Sequence, residues 1–144
     1  MGTFCYPVTL TPGSKRGRFT VTFQDLPEAI TWGDGMEDVL WQAADCLEEA
    51  IAGRIRRGGD IPKPSKPRRS QLRVPVPPLM AAKAALYLAM QESRASKTEL
   101  ARRVGCDEKQ IPRLLDPRHP SKLRQIQAAL EALGKRLVVG VQAA

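Results

Sequence analysis

Two groups of side chains in this 144-residue chain have the types and spacing that chemistry requires. The first is acidic: Asp25, Asp34 and Asp38, with Glu37, Asp45, Glu48 and Glu49 close behind. Carboxylates that converge in a shielded cleft can hold divalent metal or trade protons, as in metal-dependent nucleases. A row of acids along the outside of a helix is instead an ordinary solvated face. The second group is Lys109, Gln110 and Arg113. Gln and Arg read adenine and guanine edges bidentately in the major groove of DNA. Lys97, Thr98, Arg102, Arg118 and Lys122 lie around them in sequence, as phosphate contacts would. Soft-ligand metal chemistry has no material, since Cys5, Cys46 and Cys106 are isolated and His119 is the only histidine. No metal and no cofactor are expected, and His119, in a Pro-flanked loop, reads as structural.

Charge is unevenly spread among the segments that must position these groups. Residues 1–60 carry six basic and nine acidic side chains, residues 61–78 five basic and no acidic, and residues 79–144 twelve basic and six acidic. An acidic front and a basic back point to two tasks, with a polyanion as partner of the back half. No apolar run approaches the length of a membrane span, the start lacks a basic and apolar leader pattern, and the cysteines suit a reducing compartment, so the expected location is cytoplasmic.

In the front half Tyr6, Val8 and Leu10 alternate with Pro7, Thr9 and Thr11, and Phe19, Val21 and Phe23 alternate with Thr20, Thr22 and Gln24. Period-two alternation of aromatic and β-branched residues marks half-buried strands. The turn-forming stretch Pro12–Gly17 should join them as an antiparallel hairpin. Ala29–Trp32 is short enough for a third strand. Asp34, with Glu37 three residues later, is then expected to cap a helix. Its apolar stripe is Met36, Val39, Leu40, Ala43, Ala44, Leu47, Ala50, Ile51 and Ile55, and Gly58-Gly59 ends it. Trp41 falls outside that stripe, beside Glu37, Asp45 and Glu48. Its bland role is to cover a sheet edge, and its functional one is to anchor a basic protein.

Six prolines and five basic residues within 61–78 exclude helix and predict a solvated connector over 63–78, with 72–76 available as an edge strand. The domains expected are therefore 1–62 and 79–144. Helices follow: Leu79–Ser93 with Met80, Ala84, Tyr87, Leu88 and Gln91 spaced along it, then one capped by Ser96 with Glu99 and stopped by Gly105. A third is capped by Asp107 and buries Ile111, Leu114 and Leu115. Ala101 and Gly105 would permit the close crossing and sharp turn of a helix-turn-helix. Pro112 is expected to delete a helical hydrogen bond and bend the third helix. Ser121 should cap a fourth helix carrying Leu123, Ile126, Ala129, Leu130 and Leu133, ended by Gly134. Leu137–Val141 reads as a terminal strand without a mate, which invites pairing with a second copy as a homodimer.

The string Tyr6–Pro12, the hairpin, Phe23–Ala29, the helix after Gly33-Asp34 and the Ile61-Pro-x-Pro64 that follows resemble the N-terminal domain of HicB-type antitoxins. Glu99–Gly105 through Leu133–Leu137 is similar to the helix-turn-helix variant of that family. The resemblance implies an α+β protein, with a partial RNase H-like fold without catalysis in front. It also implies a HicA-type mRNA-degrading toxin as partner, inhibited by covering its active site, and repression of the operon encoding both. On it, Trp32, Glu37, Trp41, Asp45 and Glu48 are the candidate toxin contacts. Two alternatives stand beside it: a stand-alone dimeric repressor whose front domain senses a small ligand, and a remnant nuclease using Asp25, Asp34 and Asp38.

Overall fold

A computed structural model describes residues 3–143. The chain forms two compact units, Met1–Ala81 and Ala82–Ala144.

The first unit is α+β. Strands β1 (Cys5–Pro12), β2 (Arg18–Thr22), β3 (Ile30–Asp34) and β4 (Leu72–Pro75) make an antiparallel sheet in the order β3-β2-β1-β4. The Pro12–Gly17 turn closes the β1–β2 hairpin, with the Gly13 N–H donating to the Arg18 carbonyl. Register pairs Leu10 with Val21 and Tyr6 with Val74, so these side chains share the inner face. Thr11, Thr20 and Trp32 are in register on the other face, which is exposed along these strands. Leu72–Pro75 supplies the expected edge strand, with Pro75 at its last position, where a missing N–H costs least.

Helix α1 (Met36–Arg56) covers the inner face and buries Val39, Ala43, Leu47, Ala50, Ile51 and Ile55. Full burial of a Leu or Ile side chain contributes roughly 1.5–3 kcal/mol, so this stripe is what holds the unit together. Met36 and Leu40, assigned to the stripe by spacing, are instead exposed at 46% and 42% because they lie at its margin. The cap also differs from expectation. Asp34 remains in β3, and Gly35 is the N-cap residue, with φ of 83° and no side-chain cap bond. The acid that serves the helix start is Asp38, whose carboxylate accepts the Asp34 N–H at 2.8 Å.

Residues 61–71, expected as solvated connector, are fastened to this unit. The Tyr6 hydroxyl donates to the Pro62 carbonyl (2.7 Å), the Ser65 N–H and hydroxyl both donate to Asp25, and Gln71 donates to Thr9. Prolines have already removed much of the backbone freedom, so a few anchors suffice to hold the stretch in place. Burial of Tyr6 pushes its phenol up to about 12.

In the second part of the chain come α2 (Pro78–Ser93), α3 (Lys97–Val104), α4 (Gln110–Leu115) and α5 (Leu123–Ala132). Leu86, Leu100, Ile111, Ile126 and Leu130 are buried in the second unit. Leu123, expected in that stripe, is exposed at 41%. Ser96 accepts the Glu99 N–H at the start of α3, as the sequence predicts. Gly105 closes α3 at φ of 80°, a left-handed value that favours glycine. A Cβ there would meet no atom, so conformation and not helix packing is what requires it.

Two other caps are elsewhere than expected. Asp107 does not cap α4; it accepts the Lys109 N–H in a tight turn, and α4 starts later with Lys109 at the N-cap position. Pro112 is therefore the third residue of α4, where its missing N–H lies in the first turn and deletes no helical bond. Ser121 does not cap α5 either; Lys122 is the N-cap residue, and Ser121 is buried. Among the described residues Leu137–Val141 forms no helix and no ladder, and Val138 and Val139 are exposed at 81% and 67%. Among the described residues no helix is long and apolar enough to cross a membrane.

Candidate functional site

The structure presents two candidate surfaces, one on each unit. On the first, Glu37, Trp41, Asp45 and Glu48 follow each other at intervals of four, four and three along α1, so they form one row on its outer side. Trp41 is 65% exposed, an unusual state for a residue whose ring carries so much apolar area. Partial burial, with Asp45 and Glu49 nearby, pushes the Glu48 carboxyl above its ordinary value. A cation arriving at this row would meet a dense negative field beside an aromatic face.

Trp32 is not part of that row. Its neighbour Gly33 faces α1, so Trp32 points out from the opposite sheet face, where it is 53% exposed next to Ile30. Here the structure adds something that composition did not reveal. Arg18 on β2 is directly opposite Asp34 on β3 and donates to it twice, Nε to Oδ1 at 2.8 Å and Nη2 to Oδ2 at 2.9 Å. The same guanidinium lies 4.3 Å from the centre of the Trp32 ring. Such a cation–π contact with a two-pronged ion pair fixes the indole in one orientation before any partner arrives. Register alone creates the trio, and one sequence without register gives no sign of it.

This trio supports a prediction. The Arg18 hydrogen bonds hold the Asp34 carboxyl below its ordinary 3.8. A depressed folded-state value means that the pair's contribution is complete above the ordinary value and disappears as pH falls through the lowered one. In a Trp41→Phe chain, whose sole indole is Trp32, emission should therefore stay constant through pH 3.8 and change only below it. An acid transition centred at or above that value would contradict the ion pair.

The acids proposed as a nuclease remnant are each engaged locally. Asp34 binds Arg18, Asp38 accepts the Asp34 N–H, and Asp25 accepts from Ser65. Among the described residues no three of His, Cys, Asp and Glu are grouped as metal ligands.

On the second unit, the N-terminal ends of α3 and the α4 turn are tied by the Thr98 hydroxyl, which donates to Glu108 at 2.6 Å. Lys97, Thr98 and Lys109 are exposed there, whereas Gln110 is half-buried and borders an apolar pocket of ≈ 260 Å³ with Val104, Leu114 and Ala128. Arg102 is exposed but paired with Glu99, which also holds Arg103 at 3.0 Å. Glu99 is drawn below its ordinary value by both guanidiniums. Arg113 is exposed on α4. Arg118 and Lys122 flank the loop after it, also exposed. His119 is hydrogen-bonding distance from Ser121, 2.9 Å from Nδ1 to Oγ.

Sequence reading missed Lys83. It lies in α2 within the apolar run Met80–Leu86, and it is fully buried. Its ammonium donates to the carbonyls of Arg113 (3.1 Å), Leu114 (3.2 Å) and Asp116 (2.8 Å) and to the Ser121 hydroxyl (2.9 Å). A lysine among alanines on a helix that must be buried was the available signal.

Comparison with known proteins places this arrangement. The family described as HicB-like antitoxin of bacterial toxin-antitoxin system matches residues 5–85. Antitoxin HicB of Escherichia coli (strain K12) is 37% identical over 132 residues, covering 92% of this chain and 95% of the relative. Antitoxin HicB of Pseudomonas fluorescens (strain Pf0-1) is 33% identical over 144 residues, 99% of each. Antitoxin HicB 2 of Photorhabdus laumondii is 39% identical over 119 residues, covering 83% of this chain and 84% of the relative. With matches of this extent at both levels, the chain belongs to the HicB-like antitoxin family of bacterial toxin–antitoxin systems.

Proposed function

We propose that this protein neutralises a HicA-type ribonuclease by covering its active site with the first unit, and represses its own operon through the second. Membership of the antitoxin family is the observation that carries the reading. A toxin that works on RNA needs a basic surface, and the outward row of Glu37, Trp41, Asp45 and Glu48 on α1 is suited to meet one. Trp32, held by Arg18, offers a second aromatic contact on the other face. The inhibitor performs no chemistry of its own, and Asp25, Asp34 and Asp38 serve the fold.

In the second unit α3, the left-handed Gly105 turn and α4 act as a helix-turn-helix, with α4 as the recognition helix. The exposed Arg113 and Lys109 face base edges, the half-buried Gln110 joins them only by turning away from its pocket, and Lys97, Thr98, Arg102, Arg118 and Lys122 take phosphates. Arg102 must exchange Glu99 for a phosphate on binding, and a surface pair of this kind costs little to break. Two copies are required to span two half-sites, and the exposed, unpaired Leu137–Val141 supplies a strand for joining them.

Co-expression with a candidate partner, a short neighbouring reading frame that encodes a basic protein, tests the reading. The product is expected to be toxic alone, harmless with this chain, and retained on it through purification. Trp41→Ala should weaken that capture by about 30-fold, the loss of roughly 2 kcal/mol that marks an aromatic hot spot. Capture at wild-type strength by the Trp41→Ala chain would remove the α1 row from the interface, and a neighbour that is neither toxic nor retained would remove the toxin altogether.

A further inference from the structure

A six-residue helix that is to present side chains to DNA needs its orientation fixed by something other than its own hydrogen bonds. In α4 the last carbonyls have no partners within the helix, as at every helix end. Here a buried cation from a different helix takes them. Lys83 Nζ reaches the carbonyls of Arg113 and Leu114 in the last turn of α4, the Asp116 carbonyl just beyond it, and Ser121 at the far end of the loop. The Ser121 hydroxyl lies 3.2 Å from the same Arg113 carbonyl, so its single proton serves either that oxygen or His119 Nδ1. A positive charge at a helix C-terminus also complements the helix dipole. Burial pulls the Lys83 ammonium below its ordinary value, while the nearby Asp116 opposes that pull. No buried polar side-chain atom is left without a partner among the described residues.

We propose that Lys83 is a positioning residue for DNA recognition: it touches no DNA, but by clamping the end of α4 and the 116–121 loop it sets where Arg113, Arg118 and Lys122 stand. The inference rests on the reading of α4 as the recognition helix. Its chemical logic is that an apolar side chain could fill the space at position 83 but has no N–H to offer the four oxygens among which the ammonium shares its three. Lys83→Met would keep the bulk and free the end of α4. The carbonyl of Arg113 would lose its charged partner and keep only the Asp116 N–H and the Ser121 hydroxyl, each at 3.2 Å, so the backbone of the residue proposed to read bases is held less firmly.

The experiment compares full-length wild type, Lys83→Met and Ser121→Ala. Affinity is measured for a duplex of the protein's own promoter and for a random duplex of equal length, alongside amide exchange. Lys83→Met should lose about tenfold more on the promoter duplex than on the random duplex, the scale of one misplaced bidentate base contact, the random duplex feeling only the displaced phosphate contacts of Arg118 and Lys122. Exchange should quicken by about tenfold at Asp116 and His119, whose N–H groups donate to Arg113 and Asp116 carbonyls, while Leu100 in α3 is unchanged. Ser121→Ala should move all three readouts the same way by less. If Lys83→Met does not fold, Ser121→Ala decides alone. Promoter affinity retained by folded variants, an equal loss on both duplexes, or acceleration spread evenly through α3 and α4 would each overturn the proposal. A wild-type protein that shows no promoter preference would overturn the DNA reading itself, and local quickening at Asp116 and His119 would then leave Lys83 as a clamp of α4 without a part in recognition.

Discussion

Gly33→Ala should be the most damaging single-methyl change in the first unit, lowering its unfolding free energy by about 3 kcal/mol, the upper range for forced overpacking. The reason is contact with backbone, which cannot rotate away. A Cβ on Gly33 would lie 2.8 Å from both the nitrogen and the Cα of Val39 and 3.1 Å from the Asp38 carbonyl carbon. Relief requires α1 to lift from β3 at the point where Val39, Ala43 and Leu47 seal the sheet. Moving the helix by even a fraction of an ångström forfeits dispersion contacts along that stripe. Both tryptophans of the chain belong to this unit, so denaturant titration followed by emission reports on it selectively. A midpoint equal to wild type would mean that α1 does not approach β3 this closely. Gly105→Ala is a useful contrast, because there the added methyl meets nothing and only the left-handed backbone resists it, at roughly 1–2 kcal/mol.

What the sequence made legible was what neighbours in the chain decide. Alternation in Tyr6–Leu10 and Phe19–Phe23 displayed the strands because a pleat imposes its period on adjacent residues. Ser96 and Gly105 marked both ends of α3 correctly, since each acts on backbone within four residues of itself. Three of the differences share a cause: a local motif is outbid by a distant partner. Asp34 looks like a cap, but Arg18, sixteen residues earlier, holds it in β3 and leaves the helix start to Gly35 and Asp38. Ser121 looks like a cap, but a lysine thirty-eight residues earlier claims its hydroxyl. The prolines of 61–71 look like solvated linker, but Tyr6 and Asp25, 56 and 40 residues before their partners, tie the stretch down. The candidate surfaces followed the same division. The acidic row on α1 could be drawn from helical spacing, whereas the Arg18–Asp34–Trp32 trio and the Lys83 clamp exist only through tertiary contact.

Arg113→Ala is expected to abolish most of the preference for the operator over random DNA, and Lys122→Ala to weaken binding to both alike. The two side chains carry the same charge, so the contrast separates base reading from phosphate contact. Arg113 projects from the middle of α4, its backbone anchored by Lys83 and Ser121, and its guanidinium can offer two parallel N–H groups to a guanine. Loss of such a contact removes about 1–3 kcal/mol of discrimination, roughly fivefold to 150-fold in the specificity ratio. Lys122 is at the N-cap position of α5, exposed and without a carboxylate partner among the salt bridges of the described residues, and its ammonium is suited to a phosphate. Removing it should reduce the slope of log affinity against log salt by about 0.9, one released counterion fewer, with the specificity ratio intact. The two effects are measured together by titrating promoter and random duplexes at several salt concentrations. An Arg113→Ala chain that still discriminates, or a Lys122→Ala chain with an unaltered salt slope and a reduced specificity ratio, would show that α4 does not lie in the major groove as proposed.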